Sequence, residues 1–554
     1  MVWNAAVKML ICKRAPIASH RFLTGGWCEH FDKETKNNAK YQENLGKKNT
    51  RDTMLLGDGQ EIEITGIVMR SQMIRGQSIA TITNGSETYK VIGKEPLANG
   101  VATISGTIGE SEGETILYAN SVETLFGNSA KTEYKKIVER SGETISITDI
   151  EPLVTDEVMI ALKPKLLEAA LKILTSKKLG RFVLLRFHGD ADGVSGAMAL
   201  TKMCRMYAIQ QNSAVYSVKD AMKDLAQIHY ETMPLAIMLD FGSSDESAEG
   251  IQLLKASGAE ILVIDHHPCG EKIKQNSDLF VSPWIVDDTQ NTEHKTQNAK
   301  HKAQDSETQD TKLETENRKL ETRDQSQYPA GYLAVEVARA GGLNNENYDV
   351  EPLARISCAG DKSGIMKIDE KDKECALVLD YMASYSGFGN NLDFYENIMK
   401  KPELFKSMLL QAKEKIEQIY ESVGKTAKII EESGIKIVSI DLEKLAKKHE
   451  FPSKGKIATR VFESMQHECA NTGKPLVVIG YGGGSVVFRI NEDAVARGIE
   501  GNKIIEQIKE SMPDFAETGG GHAKAASVRV RDGFEQNVAK EAVEVIKRAV
   551  LEMA

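Results

Sequence analysis

Residues 188–197 read HGDADGVSGA, between the apolar run RFVLLRF (181–187) and the apolar stretch AMALTKM (197–203). A histidine and two aspartates thus stand where a buried strand ends and a helix begins. Three further segments have the same form, an apolar element delivering an acid or imidazole at its end. They are LDFG (239–242), IDHHP (264–268) and CAGDKSG (358–364). In an open parallel sheet, functional groups collect at the C-terminal ends of strands, beside the point where strand order reverses. The spacing therefore predicts that His188, Asp190, Asp192, Asp240, Asp265, His266 and His267 converge, joined by Asp361. Any one of these motifs alone reads as well as a helix cap or a satisfied polar cluster; the conjunction is what carries weight. That many carboxylates repel one another unless cations neutralise them. Mixed imidazole and carboxylate ligands favour Mn²⁺ or Zn²⁺ over an all-oxygen Mg²⁺ site. With Asp240 shared, the set suits two cations a few ångströms apart, an arrangement suited to phosphoryl chemistry.

Around this centre the chain alternates between the two secondary-structure periods. KLLEAALKILTSKK (165–178) and VSGAMALTKMCRMYAI (194–209) read as helices, with RFVLLRF between them as a strand. AVYSV (214–218), LAIMLDF (235–241) and ILVIDHH (261–267) read as further strands, and SAEGIQLLKAS (247–257) as a helix. This rhythm predicts an α/β fold with a parallel sheet covered on both faces. Upstream the period is two: EIEITGIVM (61–69), SIATIT, TYKVIG, VATISGTI and ETILYANSVETL (114–125) read as the strands of a small OB-like β-barrel. Such barrels bind single strands through aromatic and basic groups, for which Tyr89, Lys90 and Arg75 are candidates. Downstream, 391–428 reads as a helical connector. KIVSIDL, PLVVIGYG, SVVFRI and SVRV, with the helix NVAKEAVEVIKRAVLEM (537–553), read as a smaller α/β domain over 429–554. GYGGGS (480–485) reads as a hairpin turn.

Two stretches resist folding. Residues 289–327 hold eight acidic and seven basic residues and almost no apolar ones beyond the repeat KLETENR/KLETRDQ; they are expected to be a disordered insertion. Residues 1–55 are polar and are expected to form a poorly ordered extension, because Cys12, His20, Cys28 and His30 lack a common zinc spacing. The expected domains are thus 1–55, a barrel over 56–127, a catalytic domain over 128–390, the connector and the C-terminal domain.

Composition narrows the class. Net charge is −10 across 554 residues, so polyanion binding requires a local groove or metal ions rather than bulk charge. Seven scattered cysteines make no disulfide framework. The absence of any run of about 18 apolar residues points away from membranes and toward the cytoplasm.

HGDADG, LDFG, DHH and GDKSG, in that order, resemble the motifs of the DHH phosphoesterases. ETGGGHAKAAS (517–527) is similar to the glycine-rich signature of their associated C-terminal domain. The resemblance runs over roughly 160–554 and is nearest to archaeal RecJ-like single-strand exonucleases. It implies one cation held by His188, Asp190 and Asp240, and a second held by Asp192, Asp240, His266 and Asp361. It implies His267 facing the scissile phosphate or leaving oxygen, with Asp265 orienting a ligand histidine. Arg489, Gly519, Gly520, Gly521 and His522 become substrate-binding residues, with Lys524 a weaker candidate. Bacterial RecJ carries aspartate where this chain has His188, which leaves open the balance between Mn²⁺, the favoured cofactor, and Mg²⁺. The implied activity is exonucleolytic hydrolysis of single-stranded nucleic acid, DNA favoured over RNA, in repair or replication. Hydrolysis of oligoribonucleotides, phosphoadenosine phosphate or cyclic dinucleotides is the alternative within the enzyme class. A scaffold that binds GINS-type replication proteins is the alternative from another class.

Overall fold

The computed structural model describes residues 59–111, 114–229, 231–285, 325–345, 348–385, 392–432, 434–446, 451–470 and 473–552. The expected extension 1–55 lies outside them, as does most of the expected insertion.

Strands β1 (Glu61–Ile74), β2 (Gln77–Thr83), β3 (Thr88–Gly93), β4 (Gly100–Ser111) and β5 (Glu114–Thr124) close into a barrel in the order β1-β2-β3-β5-β4. All pairs are antiparallel except β3 with β5. Alternate side chains such as Ile82, Val91, Ile104 and Leu117 are fully buried, which is why period two was so plain in the sequence. Tyr89 belongs to that buried set and bonds Glu87. It is therefore not the exposed stacking residue expected of it; Arg75 and Lys90 are exposed.

Helices α1 (Gly127–Glu143) and α2 (Glu157–Lys178) lead into a parallel sheet. Its strands are β6 (Val183–His188), β7 (Tyr207–Gln211), β8 (Leu235–Leu239), β9 (Glu260–Ile264) and β10 (Leu279–Val281), in the order β10-β9-β8-β6-β7. Residues facing one way (Leu185, Phe187, Ile237, Leu239, Leu262) join a core with α2, α3 (Ala191–Thr201) and later helices. Those facing the other way (Leu184, Ala236, Met238, Ile261, Val263) pack with α4 (Val218–Ile228) and α5 (Ala248–Ala256). Two covered faces explain the unbroken apolar runs, and each fully buried Leu or Ile contributes about 1.5–3 kcal/mol.

Three expectations need correction here. AVYSV is not a strand: the edge strand β7 lies earlier, in the stretch expected to end a helix, and Tyr216 is buried beside Asp224, its hydroxyl donating at 2.7 Å. Ser217 then caps α4 by accepting from Asp220 N–H. Helix α2 starts before Pro164, because Asp156 caps it by accepting from Met159 N–H at 3.0 Å. Finally, residues 325–327 form an ordered 3₁₀ turn rather than the end of a disordered segment.

After α6 (Glu271–Asn276) come α7 (Ala330–Ala340), a short ribbon of β11 (Asn344–Asn345) and β12 (Tyr348–Asp349), α8 (Glu351–Gly360) and α9 (Glu370–Ser384). The connector is two helices, α10 (Leu392–Lys400) and α11 (Pro402–Thr426), broken at Lys401-Pro402, where proline suits a first helical turn. The C-terminal sheet comprises β13 (Ala427–Glu432), β14 (Ile435–Asp441), β15 (Leu476–Gly482), β16 (Ser485–Ile490), β17 (Ala516–Gly521) and β18 (Ala525–Val530). Its order is β13-β14-β15-β16-β18-β17. Helix α12 (Lys454–Ala470) packs on it, as do α13 (Glu492–Ala496), α14 (Gly501–Ser511) and α15 (Glu535–Glu552). Among the described residues, no helix is long and apolar enough to cross a membrane.

Candidate metal centre

Strand β6 pairs with β7 on one side and with β8 on the other, so the strand order reverses between β6 and β8. At that edge β6 ends in His188, Asp240 follows β8, and Asp265 follows β9. Asp240 has φ +63°, a left-handed conformation unusual for a non-glycine residue. Such strain collects at functional sites, and here it turns the carboxylate in from the strand end.

Asp190 caps α3, accepting from Gly193 N–H at 3.0 Å while its other oxygen sits 2.8 Å from His188 Nδ1. Asp192, in the first turn of the same helix, caps a different one: its oxygens accept from Ala330 and Gly331 N–H at 2.9 and 2.8 Å, and Ser357 Oγ bonds it as well. Capping and ion holding are thus not competing explanations, since a carboxylate has lone pairs for both. Asp361 sits at the end of α8 with Oδ2 3.2 Å from His266 Nε2. Asp240 Oδ1 lies 3.6 Å from the same nitrogen, and Asp240 Oδ2 3.4 Å from His188 Nδ1. Potential ligand atoms converge within 4.8 Å in three overlapping sets: His188, Asp190 and Asp240; Asp192, His266 and Asp361; Asp240, His266 and His267.

The electrostatics describe a cluster short of positive charge. Burial and then the fields of Asp190 and Asp192 push Asp240 well above the carboxylate range, and burial with Asp192 and Asp190 does the same to Asp361. Burial and Asp190 raise Asp192 to about 7. Burial opposes charge on His188, but Asp190 outweighs it and lifts the imidazole to about 9. His266 is pushed down to about 3 by burial and by its neighbour His267, and so is neutral, as a ligand imidazole must be. Asp240 Oδ2 is buried without a hydrogen-bond partner. An orphaned acceptor amid mutually repelling carboxylates fits divalent cations.

Asp265 has a different situation. It is fully buried and accepts from Ser243 N–H and Oγ, from His266 and His267 N–H, and from His267 Nδ1 at 2.7 Å. Five donors thus meet this one carboxylate, which belongs to none of the three converging sets. Desolvation works against charge on His267, yet Asp265 raises its pKa, and the ring keeps 45 % of its side chain exposed.

In the C-terminal domain, Arg489 donates through Nε to Thr459 Oγ1 and through Nη1 to its neighbour's carbonyl, both at 2.8 Å. Gly519, Gly520 and Gly521 are not a loose turn but the end of edge strand β17, paired with β18. A Cβ on Gly519 or Gly521 would come within 2.6 or 2.5 Å of the β18 backbone, so close strand approach already accounts for two of the glycines. His522 stacks on Trp284 (5.6 Å, 16°), and Trp284 Nε1 donates to the His266 carbonyl at 2.8 Å. Lys524 pairs with Glu492 at 2.8 Å.

Residues 182–311 match the model of the DHH family, N-terminal domain. The chain therefore contains a stretch similar to that DHH domain. Over 541 residues it is 26% identical to the uncharacterized protein MJ1198 of Methanocaldococcus jannaschii, covering 88% of this chain and 69% of the relative. A solved DHH domain, described as belonging to a member of a family of ribosomal proteins, is 25% identical with TM-score 0.61, covering 76% of this chain and 98% of that one. A remoter likeness, 12% identical with TM-score 0.41, is to RecJ of Thermus thermophilus in complex with Mn²⁺, over 69% of this chain and 55% of that one. The DHH match over the metal centre supports a metal-dependent phosphoesterase.

Several neighbours of the DHH centre escaped the sequence reading. Asp380 on α9 accepts from Ala191 N–H at 2.8 Å and pairs with Lys456 on α12. Gln327 accepts from Ser363 Oγ through its carbonyl and from Gly364 N–H through its side chain, fixing the GDKSG loop. None of these stands at a strand end, and their partners are distant in sequence.

Proposed function

We propose that this DHH phosphoesterase is an exonuclease that hydrolyses single-stranded nucleic acid from an end, DNA in preference to RNA, with two divalent cations, Mn²⁺ before Mg²⁺. One observation carries the reading: the two oxygens of Asp240 face different imidazoles, at 3.4 and 3.6 Å, and one of them has no hydrogen-bond partner. His188, Asp190 and Asp240 would hold one cation; Asp192, His266 and Asp361, sharing Asp240, would hold the other. Bound divalent cations supply charge neutralisation at a phosphodiester and a more acidic water. The chain's own residues do the rest. Asp265 holds His267 with Nδ1 engaged, leaving its exposed ring to give a proton to a leaving oxygen. Arg489 meets phosphate with a planar fork. The closed barrel supports a polymeric substrate, since barrels of this kind bind strands with little sequence preference.

A second reading has its own support. The centre adjoins a bounded cleft of about 570 Å³, a size that suits short oligonucleotides or dinucleotides. The scaffold alternative is disfavoured by a complete set of ligand side chains. Digestion of end-labelled 30-mer and 5-mer DNA and RNA with Mn²⁺ tests all three. A one-ended ladder on the single-stranded 30-mer, with duplex spared, is expected. Cleavage of the 5-mer alone would establish the short-substrate reading, and no cleavage of either would overturn the enzyme.

A further inference from the structure

Three contacts from the C-terminal domain end on a candidate cation ligand or beside one. Lys456 pairs with Asp380, which accepts the N–H of Ala191, between Asp190 and Asp192. Glu463 on α12 pairs with Lys362, the residue after Asp361. The third reaches a ligand's own peptide group. His522 stacks on Trp284, with centroids 5.6 Å apart and planes at 16°, and the indole Nε1–H donates to the His266 carbonyl at 2.8 Å. Each ring is held by its own domain. His522 stands at the tip of the β17–β18 hairpin, where it exchanges backbone bonds with Ala525 at 2.7 and 3.3 Å, and the Ala523 carbonyl accepts from Gly501 at the start of α14. Trp284 is half-buried in a 3₁₀ turn after β10, beside the buried Ser282 and Pro283. The His266 ring is held as well: Nδ1 faces the Ser326 carbonyl at 3.4 Å, which leaves Nε2 to Asp361 and Asp240.

An indole has one donor, and here it goes to a ligand histidine while the ring face lies on an imidazole of another domain. A ring that only filled space would need no N–H. The donor engages a carbonyl bonded to the ligand's own Cα, and so fixes the peptide from which His266 reaches the centre. Groups that orient a ligand imidazole typically set cation affinity by about 10–100-fold. We propose that Trp284 is a positioning residue for the cation on the His266 side, and that the C-terminal domain acts on that cation through it, by way of the His522 stack. The inference rests on the paired-cation reading. It gives His522 a role separate from touching substrate. Because linkage is reciprocal, a bound cation in turn favours the docked C-terminal domain.

The test uses Mn²⁺ calorimetry and tryptophan emission on the full chain. Trp284→Phe keeps a ring for the stack and removes the N–H. It should weaken the His266-side cation about tenfold and leave the His188-side cation unchanged. A His188→Ala chain, lacking the latter step, identifies the two steps of the isotherm. His522→Ala should weaken the His266-side cation about threefold, the scale of a stacked ring pair, and His522→Phe should restore it. In the Trp284→Phe background His522→Ala should have no further effect, because the route through the indole N–H is already cut. The other tryptophans are Trp3 and Trp27, so a chain with Trp3→Phe and Trp27→Phe reports Trp284 alone. There, without metal, His522→Ala should shift the emission to the red as the indole face meets water, and His522→Phe should not. Wild-type cation binding by Trp284→Phe, or losses that simply add in the double variant, would overturn the proposal. An emission unmoved by His522→Ala would overturn the stack itself. A shifted emission with no Mn²⁺ bound by wild type would defeat the paired-cation reading, and this proposal with it, leaving only the contact between the domains.

Discussion

Asp240 Oδ1 lies 3.6 Å from His266 Nε2, while the other oxygen of the same carboxylate lies 3.4 Å from His188 Nδ1. One side chain thus addresses both halves of the acid and imidazole cluster, from a backbone conformation that costs energy to hold. Asp240→Ala should therefore reduce Mn²⁺-dependent hydrolysis by more than about 100-fold, the upper cost of losing an outer partner of a ligand. Calorimetry should show both cation sites weakened. Loss of one site with the other intact would remove Asp240 from the shared position.

Asp361 is held above the carboxylate range by burial and by Asp192 and Asp190. Removing its charge relieves repulsion in the metal-free protein. Asp361→Asn should stabilise that form by about 1 kcal/mol, in line with the usual opposition of site function and stability. It should also shrink the rise in melting temperature on adding Mn²⁺. A variant less stable without metal yet equally responsive to it would contradict the repulsion.

Gly331 opens α7 against Asp192. A Cβ there would stand 2.7 Å from Asp192 Oδ1 and 3.0 Å from Ser357 Oγ. Gly331→Ala should cost about 1–3 kcal/mol in stability, as overpacking does, and should weaken cation binding by displacing Asp192. Denaturant unfolding and calorimetry read the two effects separately.

His267 is the exposed imidazole whose pKa Asp265 raises. If it protonates the leaving oxygen, His267→Ala should slow cleavage of an alkyl-leaving phosphodiester by roughly 10²–10⁴-fold. A nitrophenyl phosphodiester, whose leaving group needs no proton, should be affected far less. Equal losses on the two substrates would assign His267 to binding instead.

Away from the centre, Glu260 pairs with Arg181 at 2.8 Å and with Lys172. Burial opposes its charge, but Arg181 and Lys172 hold its pKa below the ordinary value. A depressed carboxylate stabilises the fold above its unfolded pKa, about 4.3, and that stability is lost as pH falls through the lower folded value. Glu260→Gln should cost roughly 1.5–3 kcal/mol at pH 7. The difference from wild type should narrow on acidification below pH about 4, as read by denaturant midpoints.

The distribution of legible and hidden features has a physical cause. The barrel strands were readable because burial of one face imposes a period of two, β6, β8 and β9 because burial of both faces leaves unbroken apolar runs, and the acids at the ends of β6, β8 and β9 because a sheet gathers strand ends. Residues 207–209, the start of β7, were read as the end of a helix because an edge strand buried on one face carries a weak pattern. Asp380, Lys456, Trp284 and Gln327 had no local signal at all. Each matters through a partner that only the tertiary fold brings near, as when α12 carries Lys456 to α9. The glycines 519–521 were legible as a feature, but their pairing with β18 was not.

Anomalous diffraction from crystals grown with Mn²⁺ examines the centre most directly. Two peaks should appear on either side of Asp240, one against His188 and Asp190, the other against His266, Asp192 and Asp361. A single peak elsewhere, or none among these side chains at millimolar manganese, would contradict a paired-cation phosphoesterase.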